Sequence, residues 1–489
     1  MNRHFSRPVV LTALCLGLSL AGCTGSPFGN LGETLGAQIA TGDTTLLVGD
    51  VASFTALALY RAGPGFPDTV VWTSSDESVV TVTALPDLQG RVAALGQGTA
   101  WVRALVNLDF LDSASVTVVA NGDVRWRVPA PAGLALYAAV GSDSVIRVVD
   151  ASGAISLYDV AGDTDGPLPS CNGAFGPSLS AATAHVTGSE CTRRHTDIGT
   201  IMWTLPIGDA GGGVAVFGDE SSVILHSLVD GGGATGAVAV SRVSFQGAEL
   251  WRDTLRALPL EQRAAPAIAT NGDIFVAWRA PADSSWLTRL TAAGAERWTM
   301  PLPDWAQYTS PALGVNRIVV TYLGGVTEFD TAGAVVWSRQ FTQDNPAATS
   351  QTAPSSAVIG RAGTVYVQTV HGLHAYTAAG APLWTADSLG GGSQTSGVGA
   401  PAILSDTTVV VVVGGSRVCG VHPTQGTPRW CSPTLGAGDV WGGVSVGPDR
   451  SVYVMRSSGE LIALWNGRGT EFAGWPTEGG NHDRSRRRP

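Results

Sequence analysis

The residue types that could do chemistry are few in this 489-residue chain, and they are scattered. Cys419-Gly-Val-His422 sets a thiol three residues from an imidazole, the pairing of a nucleophile with its base or of two metal ligands. Cys431, twelve residues on, offers Cys419 a disulfide partner instead. Cys171 and Cys191 make a second local pair, and no Cys-x-x-Cys spacing occurs. A four-cysteine metal site would have to draw on distant parts of the chain, so disulfides are the preferred reading, each worth about 3 kcal/mol for loops this short. Asp163-Thr-Asp165-Gly166 has a fragment of a calcium loop without the rest of its twelve-residue pattern, and reads as a solvated turn. His195, His371, His374, His422 and His482 show no His-x-x-x-His spacing and read as surface or strand residues. Trp278-Arg279, Trp286 and Trp305 gather aromatic surface that would suit a sugar or peptide platform; packing between repeats is the preferred reading. These residues predict no catalytic centre, no metal and no cofactor.

The elements that must carry these side chains are announced by a recurring phrase. It reads Gly247-Ala-Glu-Leu-Trp251, Gly294-Ala-Glu-Arg-Trp298, Gly333-Ala-Val-Val-Trp337, Gly380-Ala-Pro-Leu-Trp384 and Gly426-Thr-Pro-Arg-Trp430, with looser copies ending at Trp126, Trp203 and Trp475. Successive tryptophans from Trp251 to Trp475 are 47, 39, 47, 46 and 45 residues apart. A period in the forties filled with strand-like runs predicts an all-β chain built as a β-propeller, one four-stranded blade per repeat. The 77 residues from Trp126 to Trp203 are too many for one blade. Aligning Asp150-Ala-Ser-Gly153-Ala-Ile-Ser-Leu157 with the phrase puts Leu157 in the tryptophan's place and predicts eight blades, with seven as the alternative. The glycine allows a tight turn, and the indole supplies a plug between neighbouring blades that packs on the next glycine-rich turn. Gly474-Trp475-Pro476 and its surroundings are expected to close the ring, and the eight tryptophans are the expected docking residues.

Residues 1–22 read as a targeting segment, with Arg3 and Arg7 ahead of the apolar run from Val9 to Leu20. Leu20-Ala21-Gly22-Cys23 resembles the lipobox of bacterial lipoproteins, which implies cleavage before Cys23 and acylation of that residue, a stable anchor. Thr24 stands where an aspartate would retain such a protein at the inner membrane, so the expectation is the outer membrane. Removing Arg3 and Arg7 from 29 basic residues leaves 27 against 39 acidic ones. That balance disfavours nucleic acid and anionic lipid as partners.

Residues 23–36 are small and polar, and are expected to form a lipidated tether. Residues 37–120 form a separate block of short strands around Trp72, with Phe54, Ala56, Ala58 and Tyr60 alternating on one face. Val71-Trp72-Thr-Ser-Ser-Asp76 and Val92-Ala-Ala-Leu-Gly96-Gln-Gly98 are similar to the signature of the bacterial Ig-like group 2 family. This resemblance implies an Ig-like sandwich that serves as a spacer or an adhesive unit, with Trp72 as its core plug.

Residues 121–478 carry the tryptophan phrase, which resembles the pyrroloquinoline-quinone-like repeat; 479–489 remain as a basic tail. Proteins with such repeats include quinoprotein alcohol dehydrogenases and the lipoprotein propeller of the outer-membrane barrel-assembly machinery. The enzymes seat their quinone on a vicinal disulfide beside calcium. No Cys-Cys dipeptide and no Cys-x-x-Cys-His phrase occurs here. The expected function is therefore a non-catalytic, lipid-anchored binding or scaffold protein of the cell envelope, with unidentified envelope proteins or surface glycans as partners. A surface adhesin or carbohydrate-binding protein is the alternative, followed by a quinone-dependent dehydrogenase.

Overall fold

The computed structural model describes residues 34–61, 63–67, 69–130, 138–141, 143–149, 155–168, 178–180, 183–187, 191–196, 200–206, 208–230, 233–255, 264–279, 284–306, 309–341, 354–391, 398–436, 440–456, 459–470 and 477. The chain divides into two compact units between Val118 and Val119.

The first unit is all strand, in three sheets. Thr34–Ile39, Ala56–Tyr60 and Gly63–Gly65 make one; Val51–Phe54, Gly90–Ala94 and Val80–Ala84 make another. The largest holds Thr44–Leu47, Phe110–Val119, Gly98–Val106 and Val70–Ser74 in that order. Along Gly98–Val106 the alternation is strict: Ala100, Val102, Ala104 and Val106 are buried while Trp101 and Arg103 face water. Phe54 and Ala56, read from sequence as one strand, belong to different sheets, because the chain changes sheet at Thr55. Trp72 is buried against Gly90, where an added Cβ would come within 2.7 Å of the indole, and its Nε1–H donates to Leu88 O at 3.0 Å. The proposed tether is shorter than its sequence boundary. Thr34 to Gly36 already form strand, tied by Asn107 Nδ2 donating to Thr34 Oγ1 at 2.9 Å and by Ile39 N–H donating to Asp112 Oδ2 at 2.6 Å.

The second unit contains, among the described residues, eight four-stranded antiparallel sheets. Sheet 1 is Ala138–Val140, Ile146–Val149, Ile155–Tyr158 and Thr164–Leu168; sheet 2 is Ser178–Ser180, Thr183–Thr187, Cys191–Thr196 and Ile201–Pro206. Sheet 3 is Gly208–Val216, Ser222–Asp230, Gly233–Val243 and Glu249–Leu255; sheet 4 is Ala267–Ile268, Ile274–Arg279, Ser285–Leu290 and Glu296–Leu302. Sheet 5 is Ala312–Gly314, Arg317–Tyr322, Gly325–Asp330 and Val335–Gln340; sheet 6 is Val358–Ile359, Val365–Gln368, Leu373–Tyr376 and Pro382–Ala386. Sheet 7 is Ala402–Ile403, Val409–Val413, Arg417–Val421 and Pro428–Cys431. Sheet 8 takes Val440–Val446, Val452–Arg456 and Glu460–Leu464 from the chain's far end and Val124–Pro129 from its near end.

First strands touch from sheet 1 through sheet 6 and between sheets 7 and 8, Gln368 Nε2 of sheet 6 donates to Val412 O of sheet 7 at 2.6 Å, and the first strand of sheet 8 meets that of sheet 1, so the sheets form a ring. Second strands are covered on both faces and need no alternation, as Val409–Val413 shows. Fourth strands are half exposed.

Two sequence expectations are corrected here. Among the described residues the ring is closed by Val124–Pro129 pairing with Glu460–Leu464, not by the segment around Trp475, most of which lies outside them. Leu157 does not replace a tryptophan. It lies on the third strand of sheet 1, where it pairs with Gly166 just as Arg289 pairs with Trp298 and Arg242 with Trp251. Gly166 therefore holds the tryptophan's place, and the alignment slipped by one strand because both turns carry a glycine.

Candidate functional site

Among the described residues, seven tryptophans of the phrase stand on fourth strands, and each lies against the glycine turn of the next sheet. A Cβ added at Gly247 would fall 2.7 Å from the Trp203 ring, at Gly294 2.6 Å from Trp251, at Gly380 2.3 Å from Trp337 and at Gly426 2.6 Å from Trp384. Trp298 meets Gly333 and Trp126 meets Gly162, each at 3.2 Å. Across the chain-closing seam, Trp430 of sheet 7 meets Gly122 at 2.7 Å. These glycines have φ between +68° and +91°, which costs any residue with a Cβ. The indole N–H is used as well. Trp126 donates to Val160 O, Trp203 to Phe245 O, Trp251 to Ala292 O, Trp298 to Thr331 O and Trp384 to Pro423 O, at 2.8–3.1 Å. These five locks thus have an apolar face and a polar pin.

Arginines stand opposite three of these tryptophans, and two of them share the indole's carbonyl. Arg242, opposite Trp251, donates to Ala292 O at 2.9 Å, to Ser221 Oγ and to Asp219, with its guanidinium 4.0 Å over the Phe217 ring. Arg289, opposite Trp298, donates to Thr331 O and pairs with buried Asp273. Arg194, opposite Trp203, is fully buried and pairs with Glu220 at 2.9 Å; burial pulls its pKa down and Glu220 opposes the fall. In sheet 5 the charges are exchanged. Glu328 stands opposite Trp337 in the arginine's place, and Arg317, at the position equivalent to Asp273, pairs with it at 3.2 Å. Arg317 Nη2 then takes Ala378 O, the carbonyl that an indole takes elsewhere, at 2.8 Å. Burial pushes the Glu328 carboxyl up, against the pull of Arg317. A register position on the strand next to the tryptophan's could have signalled this row only once the sheets were aligned.

Among the described residues, those singled out for chemistry are not brought together. Cys419 and Cys431 face each other across the third and fourth strands of sheet 7, Cα atoms 4.1 Å apart, and form a disulfide beside Trp430. Cys191 is buried and disulfide-bonded; Cys171 and Cys23 lie outside the described residues, as do Trp475 and His482. His422 Nδ1 lies 3.2 Å from Thr424 Oγ1. His374 sits between Thr369 and Thr385, while His195 is buried in sheet 2. His185 and His226, also buried, contact Ser222 at 2.7 Å and Ser241 at 2.9 Å. Among the described residues, no group of three or more His, Cys, Asp or Glu could hold a metal ion. The seat of a quinone does not fit either: the sequence has no adjacent cysteines, and Cys419 is spent on a cross-strand bridge.

The aromatic group in sheet 4 is mostly occupied. Trp278 is buried, stacks on Trp286 with centroids 6.3 Å apart and donates to Thr288 Oγ1, while Arg279 lies 3.5 Å over the Trp305 ring. What the second unit does offer outward is its rim. Leu250, Val336 and Leu383, each one residue before a locking tryptophan, are exposed together with Val335. They stand on outermost strands, which in a sheet present unpaired backbone groups to a partner.

Residues 234–472, from the third strand of sheet 3 to the end of sheet 8, match the family described as outer membrane protein assembly factor BamB. Among solved structures, the chain is similar to BamB from Moraxella catarrhalis, at 13% identity and a TM-score of 0.50 over 70% of this chain and 98% of that one. It is similar to the Dos1 propeller, at 11% identity and a TM-score of 0.54 over 72% of this chain and 97% of that one. A europium-containing methanol dehydrogenase also resembles it, at 11% identity and a TM-score of 0.50 over 72% and 86%. No curated sequence matches the chain. At these identities the likeness is one of fold, a β-propeller, and a fold shared by an assembly factor and a dehydrogenase does not choose between them.

Proposed function

We propose that this protein is a non-catalytic, lipid-anchored scaffold of the bacterial cell envelope. Its first unit is read as an Ig-like module, its second as an eight-bladed propeller that binds other envelope proteins. One observation carries the reading: buried charges of the ring are committed to ion pairs, Arg289–Asp273 and Arg317–Glu328 each within one sheet and Arg194–Glu220 between sheets 2 and 3, while apolar side chains stand exposed on the outer strands. A ring built this way holds edges in place and spends its polar groups on rigidity. The match of residues 234–472 to an assembly-factor family supports protein partners over a small-molecule substrate. The lipobox at Leu20–Cys23 supports the anchor, and Thr24 the outer membrane.

Cross-linking in intact cells followed by capture of the chain should recover a reproducible envelope protein. Val336→Asp combined with Leu383→Asp should reduce that recovery without unfolding the ring. Recovery of polysaccharide alone would favour the glycan-binding reading, for which Trp101 speaks, exposed on a flat strand face beside Arg103 and Thr99. Purified protein given pyrroloquinoline quinone and calcium should show no stoichiometric quinone absorbance; its appearance would overturn the non-catalytic reading.

A further inference from the structure

The first unit has two ends, and the strand register tells them apart. Thr34 begins its strand beside the Asn107–Asp109 turn, whereas Phe110–Val119 carries the chain away to the opposite end, where Val118 pairs with Gly98. Five large apolar side chains gather at the incoming end. Phe66 is 70% exposed, Leu108 66%, Leu111 62%, Leu35 58% and Val71 45%. Their place at this end follows from pairing: Leu111 and Val71 both stand opposite Leu105, Thr34 is opposite Tyr60, and the Tyr60 hydroxyl donates to Phe66 O at 3.2 Å.

Leu108 is the informative member. Asp109 N–H donates to Val106 O across a two-residue turn in which Asn107 has φ +51° and Leu108 φ +61°. The second position of such a mirror-image turn is ordinarily glycine, because a Cβ there is strained. A leucine at that position is unfavourable twice over, in backbone and in exposure to water. An outlier of this kind points to a use for the side chain.

From this geometry we infer that the incoming end of the first unit is a membrane-contacting tip, with Leu108, Phe66, Leu111 and Leu35 entering the headgroup–acyl boundary of the bilayer that holds the protein. The inference rests on the anchored reading above. The occupant follows from the chain: Cys23 precedes Thr34 by eleven residues, a span of at most about 40 Å, and that segment joins the module at this end. Tyr60, with an apolar ring and a polar tip, suits the interface, and exposed Arg61 and Asp109 stay at headgroup level. The module is thereby held at two points, a lipid and a tip, which restricts its tilt.

The test uses the full-length lipidated protein in vesicles of phosphatidylethanolamine and phosphatidylglycerol, with and without brominated acyl chains. An indole introduced by Leu108→Trp should lose about half or more of its added emission, as befits insertion of roughly 5–10 Å. One introduced by Leu95→Trp, at the opposite end, should lose none. Leu108→Gly should melt no lower than the native protein in solution, showing that the fold did not need the leucine. Equal quenching at both positions, or none at 108, while native protein floats with vesicles and Cys23→Ser does not, overturns the tip and leaves the anchor standing. A Cys23→Ser protein that floats like the native one, with or without Leu108→Gly, overturns both readings. A solution dimer of Cys23→Ser that Leu108→Gly dissolves would assign the tip to a second copy and overturn the inference.

Discussion

The junction from sheet 4 to sheet 5 and that from sheet 1 to sheet 2 are built to different standards. In the first, Trp298 covers Gly333, donates to Thr331 O, and is backed by Arg289 on the same carbonyl. In the second, Gly166 stands where the indole should be, and among the described residues no indole fills that place. The sequence nevertheless keeps Gly199, four residues before Trp203, in the place of the receiving glycine; Gly199 itself lies outside the described residues. The plug is lost while the socket's glycine stays. The two therefore answer to different demands. A glycine at this step suits the left-handed turn into its own fourth strand, whether or not an indole covers it, whereas the indole serves only the junction. Seven junctions carry the lock among the described residues, and the ring closes with the eighth lacking its indole.

The comparison breaks most sharply at the locks. Trp298→Ala should lower unfolding stability by about 3–5 kcal/mol, read by chemical denaturation. Gly166→Ala, at the same step of the plugless junction, should change it by about 0.5 kcal/mol or less. Next come the charges. Asp273→Arg or Arg289→Asp alone should cost roughly 3–5 kcal/mol by leaving a buried ion unpaired, and the double exchange should recover most of it. The reversed pair Arg317–Glu328 already shows that order at the following junction; a double variant no better than the singles would mean that each charge acts through its own surroundings. Reducing Cys419–Cys431 should cost about 3 kcal/mol from loop closure and loosen the strand that presents Trp430 to Gly122. Gly166→Trp should restore the missing plug and add on the order of 1 kcal/mol, and Gly199→Ala in that background should remove the gain. A Gly166→Trp protein no more stable than the native one would show that a glycine at position 199 is not enough to receive an indole.

The smallest effect is a pH dependence. The Glu328 carboxyl is raised in the folded state, so the native protein holds its proton longer than the unfolded chain. Stability from this group is full below the ordinary glutamate value of 4.5 and falls as pH rises through the raised one. Glu328→Gln, which mimics the neutral acid, should therefore gain on the native protein across that window. A difference independent of pH would show that Arg317 compensates the charge fully.

The repeat was legible because a tryptophan plug is large, rare and placed at the same step of every fourth strand that carries it. Glycine before it is legible for the same reason, since a left-handed turn accepts little else. The arginine row was not, because charged residues are common in strands, and pairs such as Arg194 with Glu220 or Arg317 with Glu328 are set by register and by a neighbouring turn rather than by spacing. Leu157 misled because a glycine turn three or four residues ahead of an apolar side chain occurs before third strands as well as fourth ones. The change of sheet at Thr55 was invisible, since alternation continues through it.

Residue order by itself determined the all-strand architecture, the tryptophan period and the absence of adjacent cysteines for a quinone. These are local quantities, carried by side-chain size, turn chemistry and spacing. Only the tertiary structure decided that Val124–Pro129 completes sheet 8, that Trp430 closes the seam on Gly122, and that five exposed apolar side chains stand at the end where the chain enters the first unit. Each of these joins residues far apart in the chain, and pairing across hundreds of residues is written in no short window of sequence.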